Sequence, residues 1–80
     1  MYIKFDLPTT GGAHATAQAI KIAIARWAAR YEVPQHDYSE KTIKYTHRLG
    51  FNKEHYFSLF SMTWDGHFDF QIVNVVGEKY

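Results

Sequence analysis

Between Ala13 and Tyr31 the apolar positions Ala13, Ala17, Ile20, Ile24, Trp27 and Tyr31 recur at spacings of 4, 3, 4, 3 and 4 residues. That is the stripe of one helix face, and the many alanines raise helix propensity further. The spacing predicts one long helix, with "TTGG" supplying a turn and cap before it and Pro34 in "EVPQHDYSE" closing it. A helix with one apolar stripe must lay that stripe on another layer. The rest of the chain reads as strand.

"YIKFDL" alternates, with Ile3, Phe5 and Leu7 opposite Tyr2, Lys4 and Asp6, and Pro8 ends it by removing a backbone donor. "KTIKYTHRL" alternates again: Ile43, Tyr45, His47 and Leu49 lie opposite Thr42, Lys44, Thr46 and Arg48, and "GFNKE" is the expected reversal. "HYFSLFSMTW" is expected as a third strand and "HFDFQIVNVV" as a fourth, ended by Gly77, with Asp65-Gly66 as the two-residue turn between them. The predicted architecture is a single α+β domain over residues 1–80 in the order β-α-β-β-β. One helix packs on one face of a four-stranded, mostly antiparallel sheet.

A two-residue turn at Asp65-Gly66 sets a register. Trp64 then faces His67, Met62 faces Asp69, Phe60 faces Gln71, Ser58 faces Val73 and Tyr56 faces Val75. Phe57, Leu59, Ser61 and Thr63 fall on the other side with Asn74, Ile72, Phe70 and Phe68, which is the side expected under the helix. One helix shields one face, so Tyr56, Phe60, Met62 and Trp64 are expected on an open face. Tyr2, Lys4, Thr42, Lys44, Thr46 and Arg48 join them there if the outer strands keep their alternation. A patch of this kind on a small chain implies a partner.

Size sharpens that point. A chain of 80 residues buries only about 60–65% of its unfolded surface. It has no cysteine, hence no disulfide framework and no thiolate metal site; aromatic residues, at 18%, carry the core instead. The N-terminus lacks the order of a signal peptide, and no apolar run approaches the ~20 residues of a membrane span. A cytoplasmic protein without membrane contact is expected.

The net charge of +1 argues against an acidic DNA mimic and against a strongly basic duplex binder. The aromatic and basic face therefore has two readings. As a protein contact, or a homodimer interface, its Tyr, Trp, Phe, Met and Arg are the residue types that interfaces concentrate. As a single-strand nucleic-acid platform, its rings stack on bases while Lys4, Lys44 and Arg48 meet phosphates. The protein reading is preferred, because so small a net charge supplies little counterion release. Recognised RNA modules do not fit, since the ribonucleoprotein aromatic motif and a second helix are both missing. The predicted partner-binding set is Tyr56, Phe60, Met62, Trp64, Lys44 and Arg48.

Other motifs have ordinary explanations. Ala15, Ala19, Ile22 and Ala29 form a second small stripe, as alanine does at wet helix positions. "PTTGGAH" lacks the lysine and spacing of a phosphate loop. His14, His36, His47, His55 and His67 show no zinc-ligand spacing, so no metal and no cofactor are expected; His47 reads as a hydrogen-bonded core histidine. No acid–base pair or nucleophile stands in a catalytic motif. The functional expectation is a non-enzymatic binding module, an inhibitor or accessory protein of phage or mobile-element type, whose protein partner the sequence does not identify.

Overall fold

The first strand, β1 (Tyr2–Asp6), is followed by helix α1 (Ala13–Arg30) and then a short 3₁₀ turn at Gln35–Asp37. A hairpin of β2 (Tyr38–Ile43) and β3 (Thr46–Phe51) comes next, then a second helix α2 (His55–Thr63) and a short β4 (Gln71–Val73). The computed structural model describes residues 1–74. The four strands form one antiparallel sheet in the order β2-β3-β1-β4. Two helices and an antiparallel sheet make an α+β fold, and β-α-β-β-α-β with this strand order is the split βαβ, or ferredoxin-like, arrangement.

Helix α1 forms where the spacing predicts it. Gly11 and Gly12 turn the chain into it at φ +119° and +80°, left-handed values that a side chain resists. Its stripe is buried at Ala17, Ile20, Ile24 and Trp27. At its end, Val33 N–H bonds to Ala28 O at 2.9 Å and Glu32 N–H to Ala29 O at 3.4 Å. With Glu32 left-handed at φ 56°, this is a Schellman stop, with Val33 and Ala28 both buried.

The segment 55–63 is a helix, not the expected third strand. Its apolar residues suit either period. Phe57, Phe60 and Trp64 also keep a 3-4 helical spacing, and that face seats on the sheet. The Phe60 ring lies 6.3 Å from Phe5, 4.9 Å from Trp27 and 5.1 Å from Phe70, while Phe57 meets Phe51 edge-on at 5.0 Å. Apolar residues on both faces of the supposed strand were the mark of the wrong period.

The first hairpin turns at Lys44-Tyr45, not at "GFNKE". Ile43 and Thr46 close it, Lys44 adopts φ 55°, and Leu7 N–H bonds to Tyr45 O at 2.8 Å. Two corrections follow. Thr42 pairs with His47 and so lies on the helix side, whereas Ile43 lies on the other side. Asp65-Gly66 is not a hairpin turn, because no strand precedes it. The expected pairs of Tyr56, Ser58, Phe60, Met62 and Trp64 with the fourth strand therefore do not exist; Val75 and Gly77 lie outside the described residues.

Both helices cover the same side of the sheet. Ile3, Phe5, Leu49, Ile20, Ile24 and Phe60 form its dry centre, each at 0–1% exposure. To the opposite side point Tyr2, Lys4 and Asp6 of β1, Thr46, Arg48 and Gly50 of β3, Ser39, Lys41 and Ile43 of β2, and Gln71 and Val73 of β4, with Tyr2 and Gly50 buried there. The second helix removes one objection to an RNA-module topology. The other stands, since Thr46, Arg48 and Gly50 put no ring on the far side of β3.

Candidate protein-interaction surface

The six residues predicted as one binding face are dispersed by the second helix. Phe60 is fully buried and belongs to the core. Trp64 is half-buried, stacked on Phe60 at 4.7 Å with planes 20° apart, and donates its indole N–H to Phe68 O at 3.0 Å. Its ring also lies over Gly66, where a Cβ would sit 2.3 Å from the indole. Tyr56 is half-buried and donates its hydroxyl to Asp37 Oδ2 at 3.0 Å. Lys44 stands in the hairpin turn, and Arg48 lies on the far side of the sheet with its guanidinium 4.9 Å over the Tyr2 ring. Only Met62 projects into solvent as a large apolar group, at 83% exposure.

Met62 does not stand alone. It lines a groove of about 360 Å³ with Met1, Phe57, Ser58, Ser61 and Ile72. Ile72 pairs with Ile3 on the helix side, as expected for a core residue, yet it is 43% exposed. The reason is topological: β4 is the edge strand and α2 leaves its outer flank uncovered. Met1 adds a third exposed apolar chain at the end of the sheet. Small Ser58 and Ser61 on α2 keep the groove open. Met1 was not singled out from the sequence and Ile72 was expected in the core, because their exposure depends on which strand becomes the edge.

Two polar clusters hold the frame around this surface. Asp37 is 4% exposed and receives Tyr56, with Lys53 Nζ at 3.6 Å and His36 Nε2 at 3.5 Å. Burial pushes its carboxyl up, but hydrogen bonds from Asn52 and Tyr56 and the charges of Lys53 and His36 outweigh this. The carboxyl is left below the usual carboxylate range. Burial and the Asp37 carboxylate raise the Tyr56 hydroxyl in turn. The cluster ties the start of α2 to the start of β2.

On the helix side of the hairpin, His47 is buried between Glu40 Oε1 at 2.8 Å from Nε2 and Thr42 Oγ1 at 3.0 Å from Nδ1. Both ring nitrogens are thus partnered within the protein. Among the described residues, no group of three or more His, Cys, Asp or Glu side chains is placed to hold a metal ion. Nor is any described helix long and apolar enough to cross a membrane. Ala15, Ala19, Ile22 and Ala29 of α1 are all exposed.

No protein-family model, curated protein or solved structure matches the chain. The functional reading therefore rests on the geometry of the surface itself.

Proposed function

We propose that this chain is a small non-enzymatic binding module that occupies a surface of another protein, as an inhibitor or accessory protein of phage or mobile-element type does. The observation that carries the reading is the grouping of Met1, Met62 and Ile72 around one groove, alongside β4, the edge strand among the described residues. Single exposed apolar residues are ordinary; several around one groove mark a contact surface. An edge strand beside such a groove suits one partner chemistry, an extended segment with alternating apolar side chains. Its main chain would pair with β4 while every second side chain enters the groove. A homodimer pairing β4 with β4 across a twofold axis uses the same chemistry. A cytoplasmic setting belongs to the same reading.

Peptides selected on the protein from a random displayed library should carry alternating apolar residues and slow hydrogen exchange at the β4 amides. A Met62→Glu, Ile72→Glu variant should fold and bind those peptides at least about tenfold more weakly, since central apolar anchors commonly carry over 1 kcal/mol each. Retained binding by this variant overturns the reading, as does a library that yields no binder.

A further inference from the structure

The chain leaves α2 through a loop that is pinned at both ends. Trp64 donates its indole N–H to Phe68 O at 3.0 Å, and its ring covers Gly66 so closely that no Cβ fits there. Arg30 Nη1 ties the loop to α1 by donating to Asp65 Oδ2 at 2.7 Å. Between loop and helix lies a cavity of about 210 Å³. Its α1 wall is Ala23, Arg26, Trp27 and Arg30, the i, i+3, i+4, i+7 pattern of one helix face. The loop adds Asp65, His67 and Phe68. Arg30 and Asp65 answer each other, whereas among the described residues Arg26 and His67 have no hydrogen-bond or ion-pair partner. Two arginines against one carboxylate leave a positive charge uncompensated, before any contribution from His67. Like charges one helical turn apart are unfavourable, so Arg26 beside Arg30 gains from an added anion.

We propose that this cavity binds a small organic carboxylate with a flat apolar body. The guanidinium fork of Arg26 matches a planar carboxylate through two parallel hydrogen bonds, and the His67 ring adds a further hydrogen-bonding group. Ala23 and Phe68 are half-buried and give the body an apolar lining. Space is sufficient, since a cavity of about 150 Å³ already accepts benzene. Asp65 sets the charge of the ligand: its carboxylate opposes a second negative charge, so a monoanion suits the lining and a dianion does not. The Arg30–Asp65 pair, at 60% and 68% exposure, contributes little to stability, and Arg30 can turn to the ligand at small cost. The site shares no residue with the groove at Met62 and Ile72 and does not depend on the protein-binding reading.

Titration of the full chain with sodium benzoate, followed by proton–nitrogen NMR, tests the site. Millimolar binding is expected, with shifts concentrated at the Gly66 and His67 amides and the Arg26 Nε–H. Arg26→Gln should weaken it at least about tenfold, the worth of one charge-assisted hydrogen bond. The melting temperature should not change, because Arg26 is exposed. Benzamide has the shape without the charge, and sulfate has charge without the ring; each should bind at least about tenfold more weakly than benzoate. Met62→Glu, outside the cavity, should bind benzoate as the wild type does. This pattern supports the proposal. Three results overturn it: no shift at about 20 mM benzoate, a saturating level for a millimolar site; equal affinity for benzamide or sulfate; or a folded Arg26→Gln variant that binds benzoate as the wild type does.

Discussion

Trp27 donates its indole N–H to Thr63 Oγ1 at 2.8 Å, joining the buried face of α1 to the last residue of α2. Thr63 in turn donates its hydroxyl to Leu59 O at 2.6 Å, so a single hydroxyl links the two helices and back-bonds the second. The same indole packs against Phe60 and Phe51, at 4.9 and 5.8 Å. The helix that the alternating pattern concealed is thus held by the residue at the centre of the helix that the pattern revealed.

Thr63→Val keeps the side-chain volume and leaves the Trp27 N–H without its acceptor. An unsatisfied buried donor costs about 1–3 kcal/mol, so urea denaturation should show a loss in that range. Trp27→Phe alone loses the bond and some packing. In the Thr63→Val background it should cost less than in the wild type, because the bond is already gone. Strictly additive effects would show that the bond contributes nothing to stability.

Acid should loosen the clamp at Asp37. Its carboxyl titrates below the usual range when folded, so the unfolded chain binds a proton first as pH falls. The stability it contributes is present above pH ~4 and is lost as pH drops through the lower folded value. Tyr56, raised when folded, has the opposite sense: its contribution holds below pH ~10 and is lost as pH rises through the folded value. Melting temperatures of wild type and Asp37→Asn should differ most near neutrality and converge as pH falls through the lowered folded value. A constant gap from pH 7 to pH 2 would show that the carboxylate charge is not the source.

Glu32 occupies the left-handed position of the Schellman stop, which glycine fills without steric cost. Glu32→Gly should stabilise the protein by up to about 1 kcal/mol, raising the melting temperature by a few degrees. Glu32→Ala should give no gain, since alanine keeps the Cβ. Equal gains from both substitutions would assign the effect to charge, not to backbone conformation.

Legibility along the chain followed the length and purity of each pattern. Residues 13–31 admit one period only, and an alanine-rich run of that length favours helix through local energetics. β1 likewise shows strict alternation before a proline. At Lys44-Tyr45 no glycine, asparagine or proline announces a turn, so the hairpin was read as one continuous strand. Its location follows from pairing: Ile43 against Thr46 closes a ladder that runs from Tyr38 and Phe51.

The candidate surfaces divide in the same way. Tyr2, Lys4, Thr46 and Arg48 were expected on one side of the sheet and do share it. That Lys41 shares this side with Arg48 needed the observed hairpin register. The groove at Met62 and Ile72 needed two further facts, that α2 is a helix and that β4 is the edge.

The sequence by itself determined what local periodicity and backbone chemistry can decide: the first strand, the long helix and its buried stripe, and an α+β partition of the chain. Only the tertiary structure decided the state of residues 55–63. Nine residues are too few to hold a helix alone in water, and their phenylalanines, tyrosine and threonine suit a strand equally well. The balance is tipped by partners distant in sequence. Phe57 and Phe60 gain the rings of Phe5, Phe51 and Trp27 only if the segment coils, and that burial outweighs a local preference too weak to settle the matter.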